Sequence, residues 1–372
     1  MRLVVIGAGV IGMSCAWLAA RGREVTVLDP APASGASWVA GGMLAPVTEA
    51  WPGEEKLLAL GSASVRRWPS FAESLEAAAG RPAGLRTDGT VVAATGSGDK
   101  DELDALATFL GRLGRDVERL TGRELRRLEP SLGPDVRGGL CVPGDHSVDN
   151  RVLLAALRSA AERAGARFVP RRAVAVLDDG ERVVGVRTDG ADVPADVVLV
   201  CAGAHSSALH PALDGLVRPV KGEIVRLAHR AGAMPPPRRT VRALVDGRPV
   251  YAVPRDGGGL VVGATQMETG FDIEVTVGGV RDLLRDAERV LPGIAEYALV
   301  ETAAGLRPSS VDNLPLVGGL GPDGLLVATG HHRNGILLAP VTADAVEALL
   351  SGRPVPEAVR AADPSRLTAS RR

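Results

Sequence analysis

Leu3-Val4-Val5-Ile6-Gly7-Ala8-Gly9-Val10-Ile11-Gly12 stands almost at the start of the chain, and Glu24-Val25-Thr26-Val27-Leu28-Asp29 follows closely. The first run is continuously apolar from Leu3 to Ile6, as in a strand buried on both faces. Gly7, Gly9 and Gly12 form a G-x-G-x-x-G. Met13 to Arg21 continues with helical character, and Gly22 is a helix stop. Gly7 permits the tight turn, Gly9 lets a pyrophosphate approach the backbone, and Gly12 lets helix and strand pack closely. The helix N-terminus offers N–H groups and a partial positive charge. Asp29 stands 17 residues after Gly12, at a strand tip, where a carboxylate can accept bonds from ribose hydroxyls. Strand, glycines, helix, strand and acid in this order predict a dinucleotide-binding fold. The motif alone does not separate FAD from NAD.

The remainder predicts an α/β protein with the dinucleotide domain interrupted by a second one. Helices are expected at Glu54–Ala79, Asp99–Leu113, Thr121–Leu128, Arg151–Ala164, Val280–Leu291 and Asn334–Leu350. Thr121 with Glu124 gives the second-domain helix a capping box. Strands are expected at Thr90–Thr95, Leu140–Val142, Arg167–Pro170, Ala173–Leu177, Val183–Thr188, Asp196–Val200, Val220–Leu227, Val250–Val253, Leu260–Ala264 and Leu325–Thr329. Ala36–Pro46 is small, apolar and glycine-bearing, without helical or strand periodicity. The expected dinucleotide domain comprises residues 1–80, 146–217 and 306–362. Residues 81–145 and 218–305 form a mostly antiparallel α+β domain, and 363–372 a tail.

With 372 residues the chain suits two cores, and its formal net charge of -1 gives no bias towards nucleic acid or anionic membrane. Three cysteines, Cys15, Cys141 and Cys201, are too scattered for a metal site and fit a reducing compartment. No apolar run is long enough to span a membrane. The opening residues resemble a signal peptide superficially, but the three glycines and the following strand read as mature fold. A cytoplasmic protein is expected.

Three features carry a resemblance: the N-terminal fingerprint, Gly41-Gly42-Met43-Leu44-Ala45-Pro46, and the C-terminal pair Gly305-Leu306-Arg307-Pro308 and Gly330-His331-His332-Arg333-Asn334-Gly335-Ile336-Leu337-Leu338-Ala339-Pro340. Together they resemble the D-amino-acid-oxidase-like FAD oxidoreductases, and within them the glycine oxidases of thiamine biosynthesis. The resemblance implies a glutathione-reductase-type Rossmann domain, non-covalent FAD, and oxidation of a small amino acid by oxygen. Glycine is the expected substrate, with sarcosine and D-alanine the neighbouring choices, and a homotetramer the implied assembly. It places Gly7, Gly9, Val10, Ile11, Gly12 and Asp29 at the adenosine and pyrophosphate. Ala36, Ser37, Gly41, Gly42 and Met43 would run beside the flavin, and Val174 would touch the adenine end. His331, His332, Arg333, Asn334, Gly335, Ile336 and Leu337 would surround the pyrimidine edge. Arg307 would hold the substrate carboxylate, assisted by Arg333 and Tyr251.

The residues support this on their own chemistry. An amino-acid zwitterion has one strong handle, and a guanidinium fork matches a carboxylate bidentately. Arg307 sits between apolar residues in what reads as a Gly/Pro-framed turn; the other reading is a solvated surface charge. Tyr251 is either a partner for the same carboxylate or a core aromatic. His331 and His332 read as cofactor contacts or packing, not acid–base groups. Two positions depart from the glycine-oxidase pattern. Gln266 follows Gly263-Ala264-Thr265 where Met can stand, and Pro249 and Arg248 precede Tyr251 where a histidine can stand. A D-amino-acid or sarcosine oxidase, a dehydrogenase, an NAD enzyme and a non-catalytic FAD protein are the alternatives.

Overall fold

Strand Arg2–Ile6 lies inside a six-stranded sheet, and the computed structural model describes residues 1–368 around it. The order across the sheet is Leu316–Gly319, Leu325–Thr329, Val197–Val200, Arg2–Ile6, Glu24–Leu28, Arg167–Val169. All neighbours are parallel except the antiparallel edge strand Leu316–Gly319. Alternation sends Leu3 and Val5 into a helical layer, and Val4 and Ile6 into the opposite layer. Both faces are therefore dry, and each such side chain contributes roughly 1.5–3 kcal/mol. Helices Val10–Ala19, Glu55–Ala79, Asn150–Arg163 and Gly335–Leu350 form the helical layer. The other face is covered by the meander Ala173–Asp178, Val183–Thr188, Val193–Pro194.

The helical layer positions the last helix. Phe71 packs edge-on against both Trp17 and Trp68. Trp68 Nε1 and Ser64 Oγ donate to the Leu337 carbonyl at 2.9 and 2.5 Å. These bonds fix the Gly335 end of that helix beside the dinucleotide turn.

The second sheet has eight strands in the order Ala298–Ser310, Val217–Ala228, Gly259–Gly263, Arg248–Pro254, Thr240–Val245, Thr90–Ala94, Gly138–Val142, Glu118–Thr121. Its one parallel contact joins Thr240–Val245 to Thr90–Ala94. Helix Val277–Val290 covers one face with Leu283, Ala287 and Val290. Thr121 and Glu124 make the expected reciprocal cap, and Asp149 caps helix Asn150–Arg163.

Several elements differ from the sequence reading. Ala36–Val39 is a single helical turn and Met43–Leu44 a short strand, so the segment is ordered despite its aperiodicity. Strands Thr240–Val245 and Leu316–Gly319 were not expected. The Gly305–Pro308 segment is no turn: it lies in the 13-residue strand Ala298–Ser310. This strand sits at the sheet edge, where Pro308 costs no ladder bond. The expected boundary at 305/306 falls inside it, and Arg307 belongs to the second sheet. Val359 and Ala362 are buried in the first core, and the expected tail is tied down at its start, where Arg366 pairs with Asp312 at 2.8 Å. Residues 369–372 lie outside the described residues.

Candidate active site

A cavity of about 710 Å³ runs from the glycine turn to the second sheet. At its first end, Gly7 has φ +104, and a Cβ there would meet the Cys201 carbonyl oxygen at 2.4 Å. A Cβ on Gly12 would lie 1.9 Å from the Gly7 oxygen, so Gly12 serves packing and does not line the cavity. The helix beginning at Val10 has no side-chain cap from Gly9 and no acid in its first turn; Ser37 Oγ accepts from Val10 N at 3.0 Å. Asp29 accepts from Ala8 N at 2.7 Å and Ala31 N at 2.8 Å while lining the cavity. One carboxylate thus locks the glycine turn and still presents lone pairs to a ligand. A helix N-terminus, a side-chain-free turn and an acid at the neighbouring strand tip fit a dinucleotide's pyrophosphate and ribose.

Val10, Ile11, Ala36, Ser37, Gly41, Gly42 and Met43 continue the wall. Val174 does not: it is 49% exposed, and Arg172 and Ala173 line the cavity in its place. A β-bulge between Ala173 and Ala175 leaves Val174 turned outwards. Arg255, which the sequence reading did not single out, is buried and donates from Nη2 to the Gly41 carbonyl at 2.7 Å and to Asn150 Oδ1 at 3.2 Å. Asn150 in turn donates to the Ser37 and Trp38 carbonyls, both at 2.8 Å. The aperiodic wall is therefore held by polar bonds from outside it. Burial lowers the Arg255 guanidinium to about 10, leaving it charged at neutral pH.

The far end gathers Tyr251, Gln266, Arg307, His331, His332 and Arg333. Arg307 lies flat on its neighbouring strand. A Cβ on Gly222 would come within 2.4 Å of the guanidinium carbon. Its Nη1 donates to the Thr265 carbonyl at 3.1 Å and the Lys221 carbonyl at 3.3 Å. Among the described residues no acid pairs with it, and burial lowers its pKa. Tyr251 lies over Gly263, whose added Cβ would meet the hydroxyl at 2.4 Å. That hydroxyl has no hydrogen bond among the described residues, and burial raises its pKa, so it stays a donor. Arg333 is exposed at the cavity wall. Asn334 and Leu337 are buried and face away, towards Pro46 and Leu58. Gly335 and Ile336 line the main cavity, with the N-terminus of helix Gly335–Leu350 turned towards it.

His331 and His332 are both held neutral, each lowered to about 3 by burial, with Arg333 and Arg307 adding to the effect at His332. His331 Nε2 shares a hydrogen bond with Thr342 Oγ1 at 3.1 Å. Because the folded pKa lies below the unfolded value near 6.5, the unfolded state binds the extra proton between those limits. Stability then falls as pH drops below 6.5, by about 1.4 kcal/mol per pH unit for one such ring. His331→Asn is expected to remove one ring's share of that slope between pH 6.5 and 5 in urea unfolding, leaving the share of His332. A slope equal to wild type would mean the ring is not held neutral.

Two further residues escaped the sequence reading. Glu49 and Arg242 line the same end of the cavity and pair at 3.4 Å. In sequence Glu49 reads as a solvated acid before a helix, and nothing marks it out. Gly222 and Gly263 do carry a signal, since a glycine inside a strand marks close approach.

The sequence pattern of the FAD dependent oxidoreductase family matches residues 2–349. The chain is 35% identical to a glycine oxidase of Geobacillus kaustophilus over 356 residues, covering 93% of this chain and 92% of that protein. It is 34% identical over 370 residues to the bifunctional protein ThiO/ThiG of Synechocystis, of which it spans 54%. The crystal structure of glycine oxidase from Geobacillus kaustophilus superposes with a TM-score of 0.88 at 33% identity, covering 98% of this chain and 99% of that one. Iminodiacetate oxidase from Chelativorans superposes with a TM-score of 0.86 at 28% identity, covering 98% and 99%.

Proposed function

The chain belongs to the FAD dependent oxidoreductase family, and from that premise we propose that it oxidises glycine to glyoxylate and ammonia, with oxygen as acceptor and hydrogen peroxide as co-product. The carrying observation is the far end of the cavity, where Arg307 and Tyr251 present unpartnered donors beside the wall that a flavin would occupy. When bound, FAD accepts two electrons and a hydrogen from the substrate α-carbon and passes the electrons to oxygen. The dinucleotide turn, Asp29 and the Ala36–Met43 wall would hold it.

The residues of this chain do the rest by positioning. Arg307 takes the substrate carboxylate through Nε and Nη2, since Nη1 is already tied to backbone carbonyls. Tyr251 donates a second bond, and Arg333 adds charge at the rim. With the carboxylate fixed, the α-carbon has one orientation, which is worth far more than contact alone. With their pKa values lowered to about 3, the two neutral histidines are poor proton acceptors at neutral pH. The amine therefore loses its proton to solvent before oxidation. The net reaction, glycine, oxygen and water giving glyoxylate, ammonia and hydrogen peroxide, balances without a protein acid or base.

Supply of the imine to thiazole synthesis is part of the same proposal, supported by the similarity to the bifunctional protein ThiO/ThiG of Synechocystis. The proposed homotetramer would cover exposed apolar side chains such as Val277, Leu299 and Val300. No described helix is long and apolar enough to cross a membrane. A cytoplasmic setting fits the three unpaired cysteines.

Glycine added under nitrogen to the yellow protein is expected to bleach the flavin bands, and air to restore them. Bands unchanged by glycine but bleached by sarcosine or D-alanine would move the substrate. Bands unchanged by all three would end the amine-oxidase reading. Exposing the bleached protein separately to oxygen and to a dye distinguishes oxidase from dehydrogenase.

A further inference from the structure

The substrate end of the cavity holds more positive charge than one amino-acid carboxylate needs. Arg307 and Arg333 suffice for that carboxylate, yet Arg242 also lines the wall. Arg242 stands directly opposite Tyr251 in the strand register, so their side chains are neighbours on one sheet face. Its Nη1 donates to the Thr48 carbonyl at 2.7 Å. Its Nε and Nη2 make no hydrogen bond among the described residues. Its charge is paired with Glu49 at 3.4 Å, and the buried Asp145 also lies within its electrostatic reach. The Glu49 carboxylate in turn accepts no hydrogen bond from the described residues. It is pre-placed: Asp145, buried beneath, accepts from Val47 N at 3.1 Å and Thr48 N at 2.7 Å. The charge of Glu49 reaches both Arg307 and Tyr251, opposing the effect of burial on the first and adding to it on the second.

We propose that Glu49 and Arg242 form a specificity-determining pair that restricts the cavity to substrates with a single carboxylate. Glu49 neutralises Arg242, so a second anionic arm on the substrate meets a compensated cation and a repelling acid. With Glu49 neutral, Arg242 becomes a ready partner for that arm, and an N-carboxymethyl amine such as iminodiacetate fits the resulting charge pattern. A pair of opposite charges discriminates by what it refuses as much as by what it binds. This inference rests on the reading that Arg307 holds a carboxylate.

The test uses ligands that cannot be oxidised, so it does not depend on turnover. Butyrate carries one carboxylate; glutarate carries two, at the spacing found in iminodiacetate. Their dissociation constants are read from perturbation of the flavin absorbance of the holoenzyme. Wild type is expected to favour butyrate. Glu49→Gln is expected to tighten glutarate relative to butyrate at least tenfold. Adding Arg242→Gln should cancel that gain. Where Glu49→Gln impairs folding, Glu49→Asp, with its carboxylate drawn back from Arg242, should move the ratio the same way by threefold or more. A butyrate-to-glutarate ratio unchanged in these variants overturns the proposal. So does a gain that survives the loss of Arg242. If butyrate fails to perturb the wild-type flavin at all, the carboxylate clamp itself is wrong and the inference falls with it.

Discussion

Arg307→Ala is expected to keep its flavin spectrum and its fold while kcat/KM for glycine falls about thirty- to several-thousand-fold. The range is that of a buried charge-assisted pair losing one partner, roughly 2–5 kcal/mol. The loss should appear in both constants. KM rises because the carboxylate has lost its principal partner. kcat falls because an unclamped glycine no longer presents its α-carbon in one orientation. The fold should survive, since the guanidinium's own bonds go to two backbone carbonyls at 3.1 and 3.3 Å and to no other side chain. Arg307→Lys should recover only part of the loss. An ammonium restores charge but lacks the planar fork. Wild-type kinetics in Arg307→Ala would place the carboxylate elsewhere, with Arg333 the next candidate. A variant that loses its flavin would show instead that Arg307 serves the cofactor.

The opening of the first sheet was legible because its signals are local, whereas its edge strand Leu316–Gly319 was not. A four-residue apolar run, three glycines at fixed spacing and an acid after the next strand lie within 29 residues. The second sheet was read less well, for reasons visible in particular residues. In Ala298–Ser310, Gly305 and Pro308 look like turn residues. They are tolerated because Gly305 sits opposite Gly222 and Pro308 opposite Pro219 at a sheet edge. That compatibility is a property of the pairing, not of either strand. Arg307 was singled out with its reason partly wrong: its neighbours are strand partners, and its seat is a glycine 85 positions earlier in the chain. Val174 failed because a β-bulge falls on it, and the extra residue has no signature in the local sequence. Glu49 and Arg242 were invisible because an ion pair closed across 193 positions leaves no local pattern. Arg255 and Asn150 were missed likewise, as they act on the flavin-side wall through its carbonyls, which carry no side-chain signature.

Gly222→Ala should reproduce much of the Arg307→Ala defect without touching an ionisable group. The guanidinium rests on this glycine so closely that a methyl group would fall 2.3 Å from Nη1 and 2.4 Å from both the central carbon and Nη2. All three contacts are with one planar group, so the whole fork must lift, not merely one tip. The strand itself has no objection to alanine: Gly222 lies in regular pairing within Val217–Ala228. Alanine there gains roughly 0.5–1 kcal/mol over glycine from the lost freedom of the unfolded chain. Stability should therefore change little while kcat/KM for glycine falls about a hundredfold, or close to 3 kcal/mol of lost transition-state stabilisation. The decisive measurement is the double-mutant cycle. If Gly222 acts only as the seat of Arg307, adding Gly222→Ala to Arg307→Ala costs almost nothing further, because the group it would displace is gone. Additive losses would mean that the added methyl acts on the cavity directly. Unchanged activity in the single variant would mean that the guanidinium has a second productive position, and that the clamp owes its geometry to the two carbonyls alone.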